Sequence, residues 1–372
     1  METEDDELRD LMSNTMLSEY YLKLCEDLDV LKPKKADEIY KMQFEEGEVQ
    51  NKLDSAQANL ADTYVNAFVN LGTGKDTLMQ EKDPWIANVK KEGILAATAS
   101  LGMIYLWDID GCEEHISDYL DLKDGWAKAG ACIGFGISNS GIWSELDQAK
   151  GLLEDLLESD TDSVKLGAAI GLGIAYAGTA REDFLESLAP MILDEEVGTD
   201  TAAFAALSLG LIFVSRCEEE VVNTILTCLM SREESELDQT SAKYYAVGLA
   251  LTYLGQQEKC EPAVETLKTI EHPLARFAEV CVQAAAYIGS GNVLKIQEFL
   301  KLATPHNKEE SKALPQSMAI IGIALIALSE DIGNQMASRA MHHVLQYCEL
   351  NVKRWGVYFL IFILLSLVFS FF

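Results

Sequence analysis

Basic residues are scarce in this chain. Lys and Arg total 29 against 60 Asp and Glu, a formal net charge of −31 over 372 residues. Nucleic acid needs a basic face to meet its phosphates, so this balance excludes it as a partner. The surplus of acid points to a basic partner or to solubility. Strand signals are also sparse, with little strict alternation and no Asn-Gly hairpin pair. The eight cysteines, Cys25, Cys112, Cys132, Cys217, Cys228, Cys260, Cys281 and Cys348, form no CxxC pair. They read as buried small hydrophobes in a reducing compartment. The five histidines fall into no HExxH pattern or Cys/His quartet, and His342-His343 reads as a helix surface rather than a metal site. No P-loop and no GxSxG occur, and GLGIAYAG lacks the spacing of a dinucleotide loop and follows no strand. Neither a catalytic constellation nor a cofactor or metal site is expected. The chain opens on the acidic run Glu2 to Glu7, the wrong sign for a secretory leader.

What is abundant is one short Gly/Ala-rich phrase. It reads IGLGIAYAG at Ile170–Gly178, VGLALTYLG at Val247–Gly255, VQAAAYIGS at Val282–Ser290 and IGIALIALS at Ile321–Ser329. Looser copies are SLGMIYLW at Ser100–Trp107, CIGFGISNSG at Cys132–Gly141 and LSLGLIFVS at Leu207–Ser215. Aligned on the central small residue they give Gly102, Gly136, Gly173, Gly210, Ala250, Ala284 and Ala324, spaced 34, 37, 37, 40, 34 and 40 residues apart. A period of this length means stacked supersecondary units rather than one closed core.

Each phrase is apolar on almost every side, which predicts a helix buried all round. Glycine inside a helix costs about 0.5–1 kcal/mol relative to alanine. Its repeated use predicts close helix–helix approach at the same place in each unit. An amphipathic stretch follows each phrase. After Ser215 the residues Val221, Val222, Ile225, Leu226 and Leu229 make an apolar stripe, with Glu220, Asn223, Thr224, Thr227 and Ser231 on the opposite face. The unit is therefore a buried helix, a tight turn and a half-exposed helix. The fold class is all-α, an α-solenoid that is open or closed into a ring.

Along the chain, residues 1–92 read as a helical segment, broken at Lys32-Pro33-Lys34-Lys35 and carrying a helix over Asp54 to Leu71 with apolar Leu60, Tyr64, Phe68 and Leu71. About seven repeats occupy residues 93–347. A polar loop from Thr304 to Gln316, with Pro305 and Pro315, interrupts them. Residues 348–372 diverge. Lys353-Arg354 precedes an uncharged apolar run ending in FLIFILLSLVFSFF. This composition is unlike anything upstream and reads as a read-through or mis-spliced end. The other reading is a tail anchor, close to the about 20 residues needed to span a bilayer, which would make the chain a cytosol-facing α-solenoid adaptor at a membrane.

Several segments carry a resemblance: Leu11–Asn14, Pro33–Tyr40, Ser100–Asp110 (SLGMIYLWDID), Gly136–Gly141, Gly171–Asp183 (GLGIAYAGTARED), Ala286–Leu294 and Ile320–Gly333. The repeats resemble proteasome/cyclosome repeats. Together the segments resemble the large non-ATPase scaffold subunits of the 26S proteasome regulatory particle base, over roughly residues 5–347 and the middle portion of such subunits. The resemblance implies a toroid-like solenoid, incomplete over this span. It implies a non-catalytic docking platform for ubiquitin-dependent protein degradation in cytoplasm and nucleus. The implied partners are proteasome ATPase subunits, ubiquitin, and the ubiquitin-like domains of shuttle factors and a deubiquitinase. Its receptor helix corresponds to Cys217–Leu237, where three contact positions fall on Glu220, Thr227 and Ser231. Only Glu220 is acidic here. Glu219 belongs to the same candidate site, and Glu218, Glu233 and Glu234 are placed to supply the missing charge.

Overall fold

The computed structural model describes residues 15–30, 32–34, 56–76, 78–79, 91–143, 146–303 and 313–328, with isolated positions at 335, 337–339, 342 and 346. Contacts divide the chain into two units, residues 1–139 and 140–372. Both are built from helices, with no strand among the described residues, and neighbouring helices pack in sequence order as an α-solenoid.

In the first unit the helices are α1 (Thr15–Asp27), α2 (Ala56–Val69), α3 (Glu92–Ile104), α4 (Ile109–Leu120) and α5 (Gly125–Ser138). α3 packs on α5, with α4 against both and α2 against α3. The second unit has α6 (Gln148–Leu153), α7 (Asp162–Ala175), α8 (Asp183–Leu193), α9 (Thr199–Ile212), α10 (Glu219–Ser231), α11 (Glu234–Leu237) and α12 (Lys243–Thr252). It continues with α13 (Glu261–Lys268), α14 (Pro273–Ala286), α15 (Val293–Ala303) and α16 (Ala313–Ala327). Here α7, α9, α12, α14 and α16 form an inner row, each against the next, while α8, α10, α13 and α15 lie outside it.

All seven aligned small residues fall in inner helices: Gly102 and Gly136 in α3 and α5, the inner pair of the first unit, and the other five in the inner row of the second. Their reason is geometric. A Cβ added at Gly102 would strike the Gly134 backbone, and one at Gly210 would strike the backbone of Gly248. A Cβ at Gly173 would sit 2.6 Å from Ser208 Cβ. The inner helices are thus in backbone contact, and the helix-propensity cost of glycine is offset by that approach.

A second device, made of backbone alone, joins successive units. In the turns after α7, α9 and α14, two N–H groups donate to the last carbonyls of the next inner helix; after α12 Gly255 donates to Ala285 at 3.0 Å. Gly178 and Ala180 donate to Leu211 and Ile212, at 2.9 and 3.0 Å. Ser215 and Cys217 do the same to Leu251 and Thr252, and Gly289 and Gly291 to Leu325 and Ile326. In the first unit Gly72 and Gly74 donate to Met103 and Ile104. Carbonyls in the last turn of a helix lack the usual donor four residues on, and the neighbouring turn supplies one. The geometry needs the left-handed region: φ is +77° at Gly178 and +54° at Ala180.

The turn after α7 also organises an ionic cluster. Arg181 Nη1 donates to both Asp147 carboxylate oxygens at 2.9 and 2.8 Å, and Nη2 reaches Asp183 Oδ2 at 2.6 Å. Lys150 Nζ meets the same Asp183 oxygen at 2.7 Å. The guanidinium lies over the rings of Tyr176 and Phe184, 5.2 and 5.0 Å from their centroids. The cluster joins α6 to the start of α8.

Two expectations need correction. α2 forms where expected, but Tyr64, Phe68 and Leu71 are exposed, and its buried face is Thr63, Asn66, Ala67 and Asn70. The reason is hydrogen bonding. Asn70 accepts from Lys34 N at 2.8 Å and donates to Lys34 O at 2.9 Å, and Asn66 donates to Asp76 Oδ1 at 2.9 Å. Satisfied amides can be buried while small Ala67 and Thr63 allow approach to α3. The second correction concerns the loop expected to run to Gln316. α16 already begins at Ala313 and takes in Pro315. A proline in the first turn lacks only an N–H that the helix does not use there. Pro305 and the apolar segment 355–372, with its two readings, lie outside the described residues. Among those described, no helix is long and apolar enough to cross a membrane.

Two stability measurements follow from this packing. Gly210→Leu should overpack the α9–α12 contact and destabilise by at least about 1–3 kcal/mol. Gly151→Ala, where no atom lies within 4 Å of the added Cβ, should be neutral or stabilising by up to about 1 kcal/mol. Equal melting temperatures for the two variants would contradict the backbone contact. The second measurement is of pH. Burial opposes ionisation of Asp183, but the bonds from Arg181 and Lys150 prevail and hold its carboxyl at about 2, below the ordinary 3.8. A depressed carboxyl stabilises the fold above its unfolded value and loses that effect as pH falls through its folded value. The stability gap between wild type and Asp183→Asn, measured by urea denaturation, should hold from pH 7 to 5 and narrow from about 4 towards 2. A gap independent of pH would remove the cluster's role.

Candidate functional site

α10 is held on three sides. Its stripe of Val221, Val222, Ile225, Leu226 and Leu229 is buried, Val221 and Ile225 completely, against α8, α12 and α13. Burying each such side chain contributes roughly 1.5–3 kcal/mol. At its start, the Ser215 and Cys217 N–H groups tie the preceding turn to α12, and Gln256 Nε2 adds bonds to Ser215 O at 2.7 Å and Oγ at 3.0 Å. Glu219 and Glu220 lie in the first turn, where negative charge suits the helix dipole.

Its far end is locked by Arg232, whose side chain is only 2% exposed. Nη2 donates to Asp194 O at 2.8 Å, Nη1 to Val197 O at 3.2 Å, and Nη1 meets Glu236 Oε1 at 3.1 Å. The guanidinium therefore caps the carbonyl end of α8 while closing the end of α10. Glu236 in turn accepts from the Glu233 N–H at 3.4 Å. Burial pushes the neighbouring Cys228 thiol and Tyr245 hydroxyl up. Both stay neutral, and the Arg232 charge is balanced by carbonyl dipoles and Glu236.

With the apolar side buried and both ends anchored, one face of α10 is left to solvent. Glu219, Glu220, Asn223, Thr227 and Ser231 are all exposed. Thr224 is half-buried and bonds internally to Glu220 O at 2.7 Å. Beyond Ser231 the acids Glu233 and Glu234 are exposed as well. Two residues on or beside this face escaped the sequence reading. Met230 is 54% exposed, placing a flexible apolar side chain among polar neighbours; its spacing of three from Thr227 was the available signal. Arg232 is the lone basic residue between Cys217 and Leu237, and nothing in its type or position signals that it is buried. No group of His, Cys, Asp and Glu among the described residues could hold a metal.

The chain is similar to known proteins over nearly its whole length. The family described as RPN1 N-terminal domain matches residues 1–45. The 26S proteasome regulatory subunit rpn-1 of Neurospora crassa is 38% identical over 363 residues, covering 94% of this chain. The Schizosaccharomyces pombe subunit rpn1 is 39% identical over 95% of the chain, and the Arabidopsis thaliana non-ATPase regulatory subunit 2 homolog B 40% identical over 94%. The chain belongs to this family of proteasome regulatory subunits. It spans about 40% of the length of these relatives: 40% of the Neurospora protein, 41% of the Schizosaccharomyces protein and 40% of the Arabidopsis protein. The relatives' names describe regulatory subunits, those of Dictyostelium discoideum and Arabidopsis thaliana as non-ATPase regulatory subunits.

The anchoring role of Arg232 can be measured. Arg232→Met keeps the stem but leaves the Asp194 and Val197 carbonyls unpaired. It should cost about 1.5–3 kcal/mol, the range for hydrogen bonds to a charged group. Urea denaturation is the readout, with Glu220→Gln as an exposed control expected within about 0.5 kcal/mol of wild type.

Proposed function

We propose that this chain is a repeat-bearing part of a non-catalytic scaffold in the 26S proteasome regulatory particle. In this reading residues 93–347 carry the repeats and residues 1–92 a preceding helical segment, with 348–372 divergent. The scaffold sits beside proteasome ATPase subunits, in cytoplasm and nucleus, and serves ubiquitin-dependent protein degradation. The exposed face of α10 receives ubiquitin or the ubiquitin-like domains of shuttle factors and a deubiquitinase.

The observation that carries the docking reading is the make-up of that face. Glu219 and Glu220 stand at one end and Glu233 and Glu234 beyond the other, all exposed. Between them lie Thr227, Met230 and Ser231, also exposed. An uncharged stretch holding one exposed apolar side chain, Met230, with acids at both ends complements a ligand such as ubiquitin, whose apolar patch is rimmed with basic residues. Rim charges of this kind set encounter rate and register more than affinity. The anchors at both ends present the face without an ordering cost on binding.

Titration of isotope-labelled ubiquitin with the full chain, followed by NMR, tests the reading. Weak binding is expected. Glu220→Lys should weaken it several-fold, since an exposed ion pair contributes only about 0–1 kcal/mol. Acids placed at Thr227 and Ser231 should strengthen it. Both effects should shrink as salt rises. Identical shifts for wild type and Glu220→Lys, or none for either, would reduce this face to a solvated helix surface.

A further inference from the structure

We propose that Ser235 is a phosphorylation site for an acid-directed protein kinase, and that the added phosphate strengthens docking at α10. The first statement stands on the geometry of the segment after α10; the second rests on the docking reading above.

Ser235 lies in the sequence Glu233-Glu234-Ser235-Glu236-Leu237-Asp238. Acids flank the hydroxyl on both sides, including the positions one and three residues after it. A kinase with a basic substrate groove recognises that pattern by charge complementarity. The hydroxyl is accessible: Ser235 is exposed, and its Oγ lies 3.4 Å from Glu233 Oε2. The segment can also be presented as a substrate. α11 is a single turn of four residues. The residues bracketing it are extended, with ψ of 146° at Arg232, 152° at Glu233 and 151° at Gln239. Within Glu233–Asp238, Leu237 is the one buried side chain, while that of Asp238 is 77% exposed. The turn is held by Leu237, by the pairing of Glu236 with Arg232 at 3.1 Å and by Asp238 Oδ1, 3.4 Å from His272 Nε2, and it leaves Glu233, Glu234 and Ser235 on the outside. Arg232 lies just before it and keeps α10 in place through the Asp194 and Val197 carbonyls. Another acid-flanked hydroxyl, that of Ser159, is only half-exposed and pairs with Thr161 Oγ1 at 3.2 Å.

The step is an ordinary phosphoryl transfer. Ser235 Oγ bonds to the γ-phosphorus of ATP and the bond from that phosphorus to the β–γ bridging oxygen breaks. ADP leaves, and the serine proton passes to the kinase's base. The product carries about −1.5 to −2 additional charge, next to Glu233 and Glu234 at the acidic end of the docking face. A basic-rimmed ligand is then steered more strongly, an effect that falls with ionic strength.

The test treats the full chain with an acid-directed serine/threonine kinase and Mg-ATP, maps the phosphate by mass spectrometry, and titrates labelled ubiquitin before and after. Labelling at Ser235 is expected, absent in Ser235→Ala and about tenfold slower in Asp238→Lys. Circular dichroism of each variant checks that it is folded. A synthetic peptide of residues 229–241 serves as kinase control. Peptide labelling without labelling of the chain would overturn the assignment, as would a phosphate mapped elsewhere or a rate indifferent to Asp238→Lys. Ubiquitin binding should tighten about two- to fivefold at low salt in the modified chain. If unmodified chain binds ubiquitin and modification changes nothing, the proposed consequence is wrong. If unmodified chain binds no ubiquitin, the docking reading fails, and the mass spectrum alone decides the modification site.

Discussion

Backbone contact between inner helices is the constraint on which the rest depends. Where Gly102 meets Gly134, or Gly210 meets Gly248, no side chain can intervene. That closeness brings the turn after one inner helix within hydrogen-bond reach of the end of the next. A stack spaced by leucines would stand the helices farther apart and leave the Leu211 and Ile212 carbonyls without the Gly178 and Ala180 donors. The outer helices inherit their positions from this inner row. α10 packs on α12 and α8, and so presents a defined face only because the inner row is tightly set.

The inner helices were legible because their burial is written as composition. Apolar residues on every side and small residues at a fixed place can be read without coordinates, as at Gly173 and Ala284. The turns were harder. Some left-handed positions carry glycine, such as Gly178 and Gly289, but Ala180, Ser215 and Cys217 take positive φ with no such mark. Their conformation is imposed by bonds to a neighbouring helix, and residue identity carries no trace of that. α2 misled for a related reason. Periodicity marks apolar residues, whereas its buried face is set by the amide bonds of Asn66 and Asn70 to Asp76 and Lys34. Those partners are distant in sequence, and no local pattern announces them.

The candidate site divides the same way. The exposed positions Glu220, Thr227 and Ser231 follow from helical phase against a clear apolar stripe. Arg232 does not, because a charged residue beside an exposed face reads as solvated. Only the structure shows it turned inward to the end of α8. Met230 is intermediate: four residues after Leu226 it fits the buried stripe, three after Thr227 it fits the exposed face, and the structure decides for the latter. Helical phase fixes which positions are exposed and says nothing of a partner, which the sequence suggests only through the family resemblance.

The bonds from each turn to the following inner helix run in one direction. Donors belong to the earlier part of the chain and acceptors to the later, as with Ser215 and Cys217 towards Leu251 and Thr252. A stack cut off after any of these turns therefore exposes donors rather than acceptors at its open end, a polarity that any partner capping that end would meet.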